Sequence, residues 1–307
     1  MLKYLVILLD DSAVSYCHYE SGKERKLISL EALKSAILFA MKENLNVHIV
    51  WPDYELPKDY KEIINGIDHI NFADASFAHD ADILVANPLD WDNIPEKSVV
   101  VVKTGIRDFI EKPEVFLPLL KRVARLNILF EDISVFKDEM VTGFSYALDF
   151  LTDAIIEQYK KQNKVQVNIL TDRLILDQMN NCNAGDESVT LAPDGQFYVC
   201  PAFYFGGEKS VGNPNEGVHI KNSQLFRLDH APICRNCDAY QCNRCVWLNK
   251  QQTLEVNTPG HEQCVICHLE RNASKRMLDK IREIGEFLPG KEIPDIDYLD
   301  PFEKIEK

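Results

Sequence analysis

Six cysteines in three Cys-x-x-Cys pairs stand between Ile233 and His268: Cys234/Cys237, Cys242/Cys245 and Cys264/Cys267. Two intervening residues make a tight turn that aims both sulfurs of a pair at one point, which is what a tetrahedral thiolate-binding centre needs. Cys182 and Cys200 lie just upstream, so eight of the nine cysteines fall between Cys182 and Cys267. That is enough for two four-thiolate sites, and the metal chemistry is expected in the C-terminal part. The x2 spacings are also those of zinc ribbons, in which His230, His261 or His268 can stand in for a thiolate.

Whether paired cysteines mean disulfides or metal depends on the compartment. The N-terminal apolar run covers only Leu5 to Leu9 before Asp10 and Asp11, too short for a signal peptide's apolar region and for a bilayer span. A cytoplasmic, membrane-free protein is expected, and there thiols stay reduced and serve metals more often than disulfides. With 34 Lys and Arg against 48 Asp and Glu, the net charge is −14. No basic cluster offsets it, so a nucleic-acid surface is not expected.

The elements that must hold these thiols begin with an α/β series. Lys3–Leu9 reads as a buried strand, followed by a loop. Leu33, Ile37, Leu38, Met41 and Leu45 recur at helical spacing behind Ser29, a natural cap. Further strands are expected at 46–51, 69–73, 82–86, 99–102, 126–130 and 165–170. Helices are expected near 58–65, at 113–125 and at 138–161, the last with Met140, Phe144, Ala147, Leu148, Leu151 and Ile155 on one face. Apolar strands alternating with amphipathic helices predict an α/β fold, an incomplete (β/α) barrel or an open, mainly parallel sheet, over residues 1–172.

From residue 173 the pattern changes. Ser188–Cys200 reads as a hairpin around Pro193-Asp194-Gly195. Phe205–Gly217 is turn-rich, and periodicity returns only with Leu269, Ala273, Met277, Ile281, Ile284 and Leu288 on a final helix. Residues 173–288 are thus expected to be a small cysteine-rich domain that metal must staple, since it has little apolar surface to bury. An acidic tail occupies 289–307.

Twelve residues separate Cys182 from Gly195, and four separate Gly195 from Cys200; Cys234-x2-Cys237-x4-Cys242-x2-Cys245 and Cys264 follow. This pattern resembles the SPASM domain, the auxiliary-cluster module of radical SAM enzymes that mature ribosomal peptides and proteins. The preceding α/β series is similar to the partial barrel of those enzymes. The Cys-x3-Cys-x2-Cys motif expected in the loop after the first strand is missing, because Asp10–Glu20 contains only Cys17. The Gly-Gly-Glu signature after the second strand is missing too, since Trp51 runs into Pro52-Asp53-Tyr54. The resemblance is therefore to a pseudo-radical-SAM protein, like the CXXX repeat peptide maturase group.

That resemblance implies two four-iron, four-sulfur clusters, with zinc as the alternative, and no S-adenosylmethionine. It implies a precursor peptide, with repeated cysteines, and a separate radical SAM maturase as partners. Residue by residue it puts Cys182, Cys200 and Cys245 on one cluster and Cys234, Cys237, Cys242 and Cys264 on the other, leaving Cys267 to complete the first. The family's x5 and x3 spacings are here x4 and x2, and a Cys-x2-Cys pair replaces its single last cysteine.

Other polar and aromatic residues have plainer readings. Cys17 beside an apolar strand reads as a small core residue, and Asp10-Asp11 as a solvated strand end. Gly206-Gly207-Glu208 reads as a turn, and Phe203-Tyr204-Phe205 and Trp247 as packing around the metal sites; Arg107 and Asp108 carry no assigned role. Three function classes follow: a non-initiating peptide-docking subunit, an autonomous enzyme of other chemistry, and a zinc-stabilised binding module. The first is the expectation.

Overall fold

A computed structural model describes residues 2–22, 24–77, 80–179 and 181–285. The expected acidic tail at 289–307 and the last residues of the expected final helix lie outside them. In chain order the elements are β1 (Tyr4–Leu8), α1 (Leu30–Glu43), β2 (Asn46–Val50), α2 (Lys58–Ile64), β3 (His69–Asp74), β4 (Ile83–Ala86) and β5 (Val99–Thr104). Then come α3 (Ile106–Glu111), α4 (Leu117–Arg122), β6 (Arg125–Phe130), α5 (Val141–Lys160), β7 (Gln166–Val167) and α6 (Asn168–Ile175). The chain continues through β8 (Ser188–Leu191), β9 (Phe197–Tyr198), α7 (Pro201–Phe205), β10 (Gly212–Asn213), β11 (Gly217–Val218), α8 (Val246–Thr253) and α9 (His261–Ile284). The fold is α/β with mainly parallel strands and a C-terminal helix, as expected. Among the described residues, no helix is long and apolar enough to cross a membrane.

Contacts divide the chain into two compact units, each drawing on both the α/β series and the cysteine-rich part. The first takes residues up to 85 and 182–230, the second 86–181 and 231 onward.

In the first unit β1 is central, paired in parallel with β2 on one side and β8 on the other, while β3 and β4 extend the sheet in parallel and β9 closes it antiparallel to β8. A strand in that position is buried on both faces, which is why its sequence is apolar without alternation. Leu5 and Ile7 pack with Leu33, Ile37 and Val189 on one face. Val6 and Leu8 pack with Val50 and Phe72 on the other. Ser29 caps α1 by accepting from the Ala32 amide. The buried face of α1 is Leu33, Ala36, Ile37 and Ala40; Leu38 and Met41, expected in the stripe, are 66% and 67% exposed. Two alanines bring that helix close to the sheet and displace the stripe toward the smaller side chains.

In the second unit β5, β6 and β7 run parallel. Phe109, Phe130, Phe136 and Phe144 pack ring to ring beneath α5. The expected helix at 113–125 is instead a 3-10 turn at 113–116 and the short α4, and α3 precedes them. The expected strand at 165–170 keeps only its first residues before turning into α6. Asn168 causes the change. Its side chain accepts from the Ile128 amide at 2.8 Å and donates to the Ile128 carbonyl at 3.0 Å, so it completes the ladder that a further strand residue would have made. Thr171 accepts from the Val167 amide at 2.8 Å and secures the first turn of α6.

Candidate metal centre

Five of the expected ligands meet in the second unit. Cys234, Cys237, Cys242, Cys264 and Cys267 line one cavity together with Met179, Arg244, Gln263 and His268. Cys234 begins a 3-10 turn and Cys237 ends it, the Cys237 amide donating to the Cys234 carbonyl at 3.1 Å. Cys242 opens a turn in which Arg244 has φ 34°, in the left-handed region. Cys264 and Cys267 do not sit in a tight turn as expected. They lie on successive turns of α9, where a spacing of three puts both on one face.

The backbone is arranged to serve sulfur as an acceptor. The Ala239 amide donates to Cys237 Sγ at 3.4 Å, and the Arg244 amide donates to Cys242 Sγ at 3.3 Å. An amide pointed at sulfur favours the thiolate. Cys242 is held below the usual thiol range by its hydrogen bond with Cys267, aided by the Arg244 amide and charge. Burial pushes the Cys237 thiol up to about 12, against its amide donor. His268 Nε2 stands 3.9 Å from Cys237 Sγ. Among the described residues no three Cys, His, Asp or Glu converge closely enough to grip an ion as they stand. Soft thiolates with amide donors nonetheless fit iron–sulfur or zinc chemistry.

Buried charge supports this wall. Asp238, next to Cys237, receives Arg173 Nη2 at 3.2 Å and Arg271 Nη1 at 3.1 Å. Arg173 is fully buried and its guanidinium lies 4.3 Å from the Tyr240 ring centre. Gln241 donates to the Cys267 carbonyl at 2.7 Å and to Glu270, whose carboxyl burial pushes well above the usual carboxylate range. Cys245 stands at the N-cap position of α8 in the same unit; Trp247 lies within that helix.

Cys182, Cys200 and Cys17 belong to the first unit. Cys200 precedes α7 as its N-cap residue, and the Ser188 hydroxyl donates to the Cys182 carbonyl at 2.8 Å. The notional partition that gave Cys267 to Cys182 and Cys200 meets Cys267 in the five-thiol cavity, because the helical register of α9 carries it there beside Cys264.

The loop after β1 is packed with its own side chains. Tyr16 lies 4.6 Å from Phe72, centre to centre, and Tyr19 stacks on Phe205 at 5.1 Å and 5°. Burial pushes both phenols well above their usual range. Asp10 is not the solvated strand end expected of it. It is fully buried, accepting from the Ser12 amide at 2.8 Å and the Tyr54 hydroxyl at 2.9 Å. Asp11 accepts from the Tyr204 hydroxyl at 2.7 Å. The tyrosines that satisfy these carboxylates arrive from distant parts of the chain, which no local pattern announces.

Sequence reasoning also passed over Arg244, Gln263, Gln241 and the Arg173–Asp238–Arg271 triad. The one available signal was polar residues interleaved with the cysteines, and polarity there reads equally well as a solvated loop.

No protein-family model and no curated protein matches the chain. Solved structures do match. Hexahistidine-tagged anSMEcpe with bound AdoMet is similar over 92% of this chain and 100% of that one, with a TM-score of 0.63 at 14% identity. Native anSMEcpe with bound AdoMet and Cp18Cys peptide covers the same shares, with a TM-score of 0.62 at 14% identity. Likeness at this identity is one of fold alone: the chain has a fold similar to that of anSMEcpe.

Proposed function

We propose that this chain is a non-initiating subunit of a peptide-modifying system. In this reading it binds a precursor peptide and a separate radical SAM maturase and does not itself generate a radical. The observation that carries the reading is the loop after β1. It offers one thiol, Cys17, where a radical-generating site needs three, and its interior is occupied by Tyr16 and Tyr19 packed on Phe72 and Phe205. The fold shared with anSMEcpe, whose structure includes AdoMet and the Cp18Cys peptide, supports a peptide context.

The eight cysteines Cys182, Cys200, Cys234, Cys237, Cys242, Cys245, Cys264 and Cys267 are the proposed ligands of two iron–sulfur clusters. When bound, the clusters would staple the cysteine-rich segments and offer an electron relay. The chain's own part is to aim backbone donors at sulfur. The Ala239 amide donates to Cys237 Sγ, and the Arg244 amide and charge favour the thiolate of Cys242. Asp238, held between two arginines, fixes the backbone that carries Cys237.

Anaerobic incubation of the reconstituted chain with reductant and S-adenosylmethionine tests the central claim. No 5′-deoxyadenosine above a protein-free control is expected, while co-purification with a maturase and a cysteine-repeat peptide is. Stoichiometric deoxyadenosine from the isolated chain overturns the reading. A zinc-stabilised binding module is the second reading, favoured by the x2 spacings and by His268 beside Cys237. Iron, sulfide and zinc analysis of anaerobically purified protein separates the two.

A further inference from the structure

We propose that Arg244 sets the reduction potential of the cluster held in the five-thiol cavity, its guanidinium giving positive charge and hydrogen bonds to cluster sulfur. This role rests on the iron–sulfur reading above and belongs to a residue that is not itself a ligand. Arg244 stands in the turn Cys242-Asn243-Arg244-Cys245 and lines the cavity with the five cysteines. Its amide donates to Cys242 Sγ at 3.3 Å, and its backbone takes φ 34° there. Glycine enters the left-handed region without strain, whereas a residue with a Cβ is disfavoured in it. Glycine would therefore serve the amide bond to sulfur better. What the arginine adds is its side chain.

Arg244 is only 1% exposed, so a permanently charged group has been taken out of water. A buried cation is tolerated where negative charge and acceptors meet it. Asp238, the buried carboxylate in the same wall, is already shared by Arg173 and Arg271. The sulfurs of a cluster held by four thiolates supply both the charge and the acceptors. Reduction adds one electron to such a cluster and breaks no bond. A cation and hydrogen-bond donors at its sulfurs stabilise the added negative charge, so the potential rises. A raised potential suits the electron relay proposed above, because an acceptor must be easier to reduce than its donor.

The test uses the full-length protein purified anaerobically with its clusters, reduced stepwise with dithionite and followed by electron paramagnetic resonance. Arg244→Met removes the charge and the donors while keeping a long side chain. It should make reduction of one cluster at least tenfold less favourable, a midpoint lower by about 59 mV for one electron, and leave the other cluster's midpoint in place. Arg244→Lys, which retains the charge, should recover at least half of that shift; a merely structural role predicts no such recovery. Independently, wild-type holoprotein carrying isotope-labelled arginine guanidinium nitrogen should show a coupling of that nitrogen to a reduced cluster in pulsed measurements; this readout stands even if both variants misfold. An unchanged midpoint in iron-replete Arg244→Met, or no nitrogen coupling in the iron-loaded wild type, overturns the assignment alone. A wild-type protein without iron overturns it together with the cluster reading.

Discussion

Asp238 Oδ2 lies 3.2 Å from Arg173 Nη2, with the arginine fully buried and the carboxylate nearly so. The pair ties α6 to the loop that carries Cys237, and Arg271 of α9 approaches the other oxygen at 3.1 Å. One carboxylate thus holds two helices against the cysteine loop. Removing it would strand two buried cations, and breaking a buried pair in this way costs about 3–5 kcal/mol. Asp238→Ala should lower stability by that amount in chemical denaturation. Arg271→Met, which leaves Arg173 to neutralise the acid, should cost less.

Asn168 does with its side chain what a strand residue does with its backbone. Both of its bonds to Ile128 are buried. Asn168→Ala leaves a buried amide and a buried carbonyl unpaired, each costing about 1–3 kcal/mol. The expected outcome is a drop in denaturation midpoint, with faster hydrogen exchange at the Ile128 amide. Unchanged exchange there would mean that the backbone finds another partner.

His48 sits between the rings of Tyr4 and Phe72, and burial lowers its basicity below the ordinary value of 6.5. The unfolded chain therefore binds more protons than the folded one once the pH falls below that value. Stability from this group is complete above about pH 6.5 and declines as the pH drops through the depressed folded value. His48→Phe should abolish that part of the decline. Urea midpoints of the two proteins at pH 7.5 and at pH 5 should diverge more at the lower pH.

Cys237 and Cys242 each receive an amide hydrogen bond on sulfur. Cys237→Ala or Cys242→Ala should reduce bound metal and open residues 231–260 to limited proteolysis. The β1–β2–β8 core of the first unit contains neither residue and should keep its protease resistance. If the metal-stapled segment is the docking surface, both variants should also fail to retain the maturase and the peptide in a pull-down.

Local physics makes some of this protein legible in one dimension. Ser29 marks the start of α1 because its hydroxyl serves an amide three residues on, and Pro193-Asp194-Gly195 marks a hairpin because Gly195 takes φ 79°. The apolar run of β1 identifies a strand buried on both faces. Cysteine spacing nominated the thiols in the same way, since x2 spacing is itself a geometric statement. Tertiary structure decided which thiols meet. Cys264 and Cys267 share a cavity with Cys234, Cys237 and Cys242 because α9 begins at His261 and carries both on one face. Asp10 is buried because Tyr54 reaches it across 44 residues of chain. Asn168 ends a strand because Ile128, 40 residues away, offers the ladder it completes. In each case the deciding partner is distant in sequence, and the free energy of burial that brings it in depends on the whole fold rather than on the residues nearby.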